Sequence, residues 1–147
     1  MFVEGMLPTA GKRLVTIGVD APLIEAAKLL RELHTDLVVV CSCDELLAGV
    51  ITKTDLVRQM SQCQGSECAT AASTVMTRTV ILCHPNDLLH DIWSIMKEHG
   101  LKNIPVVSQD SRPLGVLNAR DALEVLLAEA EYEEQLLRDY VMCVGYH

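Results

Sequence analysis

Residues 49–57 read GVITKTDLV, and residues 115–123 read GVLNARDAL. An internal repeat constrains a fold more firmly than local propensity, because each copy must form the same supersecondary unit and bury its apolar face on a neighbour. The likeness extends well beyond these two stretches. One copy runs through LVTIGVDAPLIEAAKLLRELHTDLVVVCSCDELLAGVITKTDL and the other through TVILCHPNDLLHDIWSIMKEHGLKNIPVVSQDSRPLGVLNARDAL. Each reads as a short β-branched run, a cap, an amphipathic helix, a second apolar run, a turn, a third apolar run and a further helix.

In the first copy Leu23, Ala26, Ala27 and Leu30 share one helical face, and Asp20 and Pro22 supply start signals. In the second copy Leu88, Ile92, Ile95 and Met96 do the same after Pro85, Asn86 and Asp87, and Gly100 fits a helix stop. Residues 37–40 and 104–107 are short apolar runs bounded by turn signals, as buried strands are. Gly49 and Gly115 close turn-and-strand segments that pass quickly into helices. The fold class expected is therefore α/β, with two β-α-β-β-α units packed about a pseudo-twofold axis and sharing a core, plus a C-terminal helix. The boundaries follow: a first repeat over 1–58, a polar linker over 59–73, a second repeat over 74–127, and a helical tail over 128–147. Beyond Asp121 a helical pattern continues into the tail, where six carboxylates from Glu124 to Asp139 face one cation, Arg138, while Leu123, Leu126, Leu127, Ala130, Leu136 and Leu137 offer apolar surface to a second subunit.

At 147 residues the chain is the size of one compact domain with an aliphatic core, since aromatics are only 3% of it. A formal charge of −8 argues against nucleic acid, where affinity comes from neutralising phosphates with Lys and Arg. No apolar run approaches the roughly 20 residues that span a bilayer, and MFVEGMLPTAGKR lacks the order of a signal peptide. The expected location is cytoplasmic. The cysteines at 41, 43, 63, 68, 83 and 143 fit no zinc or disulfide spacing, so most read as small buried hydrophobes, with a minor redox option at Cys63 and Cys68.

Thr-x-Thr-Asp at a strand end opening a helix places hydroxyls and a carboxylate beside free N–H groups. Such a carboxylate can accept a vicinal diol, and the hydroxyls and amides can meet a phosphate. The plainer reading is that Thr54 or Asp55 caps the following helix.

The duplicated Gly-hydrophobic-hydrophobic-Thr-x-x-Asp step, with VMTRTVILCHPNDLL before a helix and IPVV in a strand, resembles a tandem pair of cystathionine β-synthase (CBS) domains over about residues 12–125. That resemblance implies a regulator that dimerises and binds an adenine nucleotide between its repeats, each cleft joining the step of one copy to strands of the other. One cleft would use Val50, Thr52, Thr54 and Asp55 with Val80, Ile81, Lys102, Asn103, Ile104 and Pro105. In it Asp55 would hold a ribose, Thr52 and Thr54 would follow the ribose-phosphate, and Val80, Ile81, Ile104 and Pro105 would form an adenine slot. Phosphate binding would rest on Lys102, since Asn103 stands where phosphate binders of the family often carry a basic side chain. The weaker cleft would use Val15, Thr16, Leu37, Val38, Asn118, Arg120 and Asp121. There Asn118 replaces a hydroxyl and Asp36 repels phosphate. The resemblance leaves AMP, ADP, ATP, NAD(H) and S-adenosylmethionine open as ligands, with no obligatory cofactor.

Two other functions compete. An enzyme is disfavoured: the P-loop, dinucleotide fingerprint, nucleophile elbow and H-E-x-x-H pair are missing, and His34, His84, His90, His99 and His147 are scattered. A ligand-free dimerisation or protein-interaction module is the stronger rival, with an effector supplied in trans.

Overall fold

A computed structural model describes residues 1–32, 35–62 and 70–145. Cys63, Cys68, His34, His147 and residues 63–69 of the expected linker lie outside the described residues. A 3-10 turn, Val3–Met6, leads into α1, Leu7–Arg13. The first repeat then runs β1, Thr16–Gly18; α2, Leu23–Leu30; β2, Leu37–Cys41; β3, Leu47–Thr52; α3, Lys53–Gln62. After α4, Ala72–Val75, the second repeat follows as α5, Leu89–His99; β4, Asn103–Val107; β5, Pro113–Asn118; α6, Ala119–Gly145. β1 lies parallel to β2, which pairs antiparallel with β3; β4 and β5 form the matching hairpin.

The duplication reaches the backbone detail of the turns. In β2–β3, Ser42 N–H donates to Leu46 O (2.8 Å), and in β4–β5, Ser108 N–H donates to Arg112 O (2.9 Å). Glu45 and Ser111 hold matching left-handed conformations, φ 63° and 66°. Ladder irregularities fall at Val40/Cys41 and Val106/Val107, the same place in each copy.

The repeats differ at their first strand. The β-branched run expected before α5 is reduced to one parallel bridge, Cys83 to Val106. In the first copy β1 is continued on both sides by the N–H groups of Val39, to Val15 O (2.9 Å), and Val19, to Cys41 O (3.0 Å). The equivalent residues are Pro105 and Pro85, which have no N–H to give. The His84 ring makes up part of the loss, its Nδ1–H donating to Val107 O at 3.0 Å.

Each repeat is completed by the segment that precedes the other. Val3 and Met6 are buried with Leu89, Ile92, Met96, Ile104 and Leu117 in the second repeat's core, whereas Ala72 and Met76 are buried with Leu23, Ala26, Val38 and Ile51 in the first. The backbone contacts correspond: Val3 N–H to Asp87 O and Ala72 N–H to Ala21 O, at 2.9 and 2.8 Å. Residues 1–13, grouped by sequence with the first repeat, thus pack on the second. A third cluster, Leu37, Val39, Val50 and Val116, joins the two repeats. In α5 it is Leu89, not Leu88, that enters the core; Leu88 is the N-cap and is exposed. α6 runs unbroken across the boundary drawn at 127, and beyond it Tyr132, Leu136, Leu137, Tyr140 and Val141 are all exposed. Among the described residues no helix is long and apolar enough to cross a membrane.

Candidate functional site

β3 ends at Thr52, and the next residues open α3 with a reciprocal cap. Thr52 N–H donates to Asp55 Oδ2 (2.9 Å), Asp55 N–H donates to Thr52 Oγ1 (3.3 Å), and the Thr52 hydroxyl lies 3.2 Å from Oδ2. The capping role is therefore real, but it engages one carboxylate oxygen. Oδ1 meets the Thr77 hydroxyl at 3.5 Å and the Arg58 guanidinium at 3.7 Å, and Asp55 is only 8% exposed. A carboxylate oxygen has more than one acceptor site, so Oδ1 retains capacity for a further donor.

Thr77 reaches this point because the chain leaving α4 crosses β3, exchanging hydrogen bonds with Val50 (2.8 and 3.0 Å). Gly49 makes room for the crossing: a Cβ there would stand 2.7 Å from Thr77 O. The result is a cleft of about 540 Å³ between the repeats, within the usual range of small-molecule sites. It brings together Val50, Thr52, Thr54, Asp55, Val80, Ile81, Lys102, Asn103 and Pro105. Ile104 is not among its walls. Side chains alternate along a strand, so Asn103 and Pro105 face the cleft while Ile104 turns into the core, 1% exposed.

Sequence reasoning missed Lys53, Thr77, Thr79, Gly100 and Leu101, which also line this cleft, and placed Asp36 in the wrong one. Lys53 sits inside the repeated stretch and was legible there; Thr77 is brought in by the crossing alone. Asp36 pairs with Lys53 at 3.5 Å. Lys102, exposed on the wall, has no carboxylate partner among the described residues.

The second set of nominated residues does not assemble. Asp121 is held by Arg13, whose Nε and Nη2 donate to its two oxygens at 2.6 and 3.2 Å. Both side chains are mostly covered, 30% and 18% exposed. Asn118 caps α6, its Oδ1 accepting from Arg120 and Asp121 N–H, and the Arg120 side chain is exposed. Val15 borders a hollow of about 270 Å³ with Thr9, Lys12, Arg13 and Thr35; Thr16 faces a separate groove with Arg112 and Pro113. Leu37 lies on the floor of the first cleft, and Val38 points into the first repeat's core.

Arg13 arrives there through one extra helical turn. Fourteen steps separate Val3 from Ile17, against eleven from Ala72 to Cys83 between the same anchor points. The three added residues, close to a turn of helix, let α1 continue over the second cleft, where α4 gives way to extended chain over the first. Gly115 admits α1 as Gly49 admits Thr77: a Cβ would stand 2.7 Å from Ala10 C.

A family model for the CBS domain matches residues 10–62 and 72–128. The chain belongs to the CBS-domain family. As a CBS pair it is 26% identical over 101 residues to homoserine O-acetyltransferase of Methanosphaera stadtmanae, and 27% identical over 123 residues to the choline transport ATP-binding protein OpuBA of Bacillus subtilis. Those alignments cover 69% and 84% of this chain but 20% and 31% of the relatives, so the CBS pair spans a third or less of either. Among solved structures it is similar to the CBS-domain protein ATU1752 of Agrobacterium tumefaciens, with TM-score 0.72, 27% identity, and 85% of this chain and 98% of that one covered. CBSX2 in complex with AMP gives TM-score 0.73 at 19% identity, and the MJ0100 CBS pair in complex with 5′-methylthioadenosine and S-adenosyl-L-methionine gives 0.72 at 21%. Each alignment covers 88% of this chain and 98% of the other, and at these identities the likeness establishes the fold.

Proposed function

We propose that this CBS pair is a regulatory module, not a catalyst, that binds an adenine nucleotide, AMP foremost, in the Thr52/Asp55 cleft and signals occupancy to a partner. The observation that carries the reading is Asp55: a buried carboxylate with an acceptor facing a cleft of nucleotide size. Asp55 Oδ1 would take the ribose hydroxyls, Val80, Ile81 and Pro105 the base, and Thr54 with Lys102 the phosphate. The ligands of CBSX2 and MJ0100 share an adenosine moiety, which supports that class. ADP, ATP and NAD are the alternatives within it. Binding would shift the balance between arrangements of the repeats or of two subunits, and the partner would read that shift.

Calorimetric titration of the full chain with AMP, beside Asp55→Ala, tests the reading. Saturable binding weakened on the order of a hundredfold in the variant is expected, since a charge-assisted hydrogen-bond pair is lost. The cap contributes only about 1 kcal/mol, so circular dichroism should show the variant folded. Undiminished binding in the folded variant would overturn the assignment. A second reading, an interaction module, is favoured by the exposed apolar positions of α6. It predicts concentration-dependent association, read by sedimentation, that truncation after Leu127 removes.

A further inference from the structure

Asn118 ends β5 where Thr52 ends β3, yet its side chain serves the opposite cleft. Its Oδ1 accepts the N–H groups of Arg120 (3.0 Å) and Asp121 (3.2 Å). Both lone pairs are then engaged, and only Nδ2 remains to face across the hairpin. Asn103 is its direct partner in the ladder. Nδ2 of Asn118 donates to Oδ1 of Asn103 at 3.0 Å. The orientation of each amide is thus dictated by its neighbour: the α6 backbone fixes Asn118, and Asn118 fixes Asn103. Asn103 lines the cleft, and with its Oδ1 held toward Asn118 its NH2 lies on the other side of the amide, away from Asn118. Lys102 stands beside it with no carboxylate partner among the described residues. This part of the wall offers donors and positive charge.

We infer that Asn118 is a positioning residue that commits Asn103 to donate, so that the cleft selects an adenosine ligand bearing an anionic acceptor, a phosphate, over one bearing a sulfonium or a neutral thioether. The inference rests on the nucleotide reading and sharpens it. It reassigns a residue of the second step from ligand contact in its own cleft to specificity in the other.

Asn118→Asp keeps both cap acceptors but cannot donate to Asn103. Asn103 must then turn its NH2 to the new carboxylate and show its oxygen to the cleft. Titration of the full chain with AMP and with adenosine should find AMP weakened about tenfold and adenosine changed less than twofold. An unchanged AMP-to-adenosine ratio would overturn the inference and leave the nucleotide reading standing. A wild-type chain that binds neither ligand would end both. Side-chain amide exchange by NMR on the wild type needs no variant: slow exchange at the Asn118 NH2 with fast exchange at the Asn103 NH2 is expected, and the reverse order would overturn the polarity.

Discussion

The two clefts open on the same repeated step and differ in what leans against it. Over the first, extended chain crosses at Gly49, and Thr77 touches Asp55 lightly, at 3.5 Å. Over the second, α1 crosses at Gly115, and Arg13 takes both oxygens of Asp121. Three added residues in the leading segment separate a carboxylate that lines an open cleft from one that is already neutralised from within. The lesson is that equivalent motif residues need not be equivalent sites: access is decided by the segment that covers them.

Overfilling either crossing glycine should have the largest effect. Gly115→Val and Gly49→Val should each cost about 1–3 kcal/mol by overpacking, seen as loss of several degrees in thermal midpoint. The consequences for binding should diverge. Gly115→Val displaces α1 and spares AMP binding, while Gly49→Val displaces Thr77 and weakens it; equal effects on binding would erase the proposed asymmetry.

Removing the guanidinium alone is gentler. A partly exposed bidentate pair contributes on the order of 1–2 kcal/mol, so Arg13→Ala should lower the midpoint by roughly 2–6 °C. It should also expose Asp121 and add a second, weaker AMP equivalent in calorimetry. A stoichiometry still at one would show that Arg13 is not what closes the cleft.

Smaller again is the effect of Asp36, which stands at the mouth of the first cleft and engages Lys53. Asp36→Asn should free Lys53 and tighten AMP roughly two- to fivefold at low salt, with the gain fading as salt screens the exposed charges. Weaker binding would place Lys53 away from the phosphate.

The mildest prediction compares the cores and not the clefts. Burial, helped by Asp87, pushes the Cys83 thiol from 9.0 up to about 12, and burial then Glu45 raise that of the half-buried Cys41. A folded-state value above the unfolded one means that the contribution is intact below pH 9 and is lost as pH rises from 9 toward 12. Urea midpoints should be flat between pH 7 and 8.5 and fall by pH 10, by on the order of 1 kcal/mol. In native protein Cys43, which is exposed, should alkylate quickly and Cys83 slowly; rapid labelling of Cys83 would contradict its burial.

Much of this architecture was legible in the residues. The repeat gave the unit, helical spacing gave Leu23, Ala26 and Leu30 as a buried face, and Gly100 gave the α5 stop, which it makes at φ 64°. Some errors were avoidable: period-two alternation excludes Ile104 from the wall that holds Asn103 and Pro105, and Pro85 and Pro105 announce a broken strand. Others were not, because the exchange of residues 1–13 onto the second repeat is a tertiary choice with no local signal. Arg13 reads from sequence as a basic residue near a chain start. Asn118 shows the same limit, since a cap and a cross-strand donor look alike until the register is known.

The most direct test is a crystal structure of the full chain grown with AMP. Nucleotide is expected against Thr52 and Asp55, with the Arg13–Asp121 pair intact. Nucleotide seated beside Asp121, with Arg13 displaced and the first cleft empty, would contradict it.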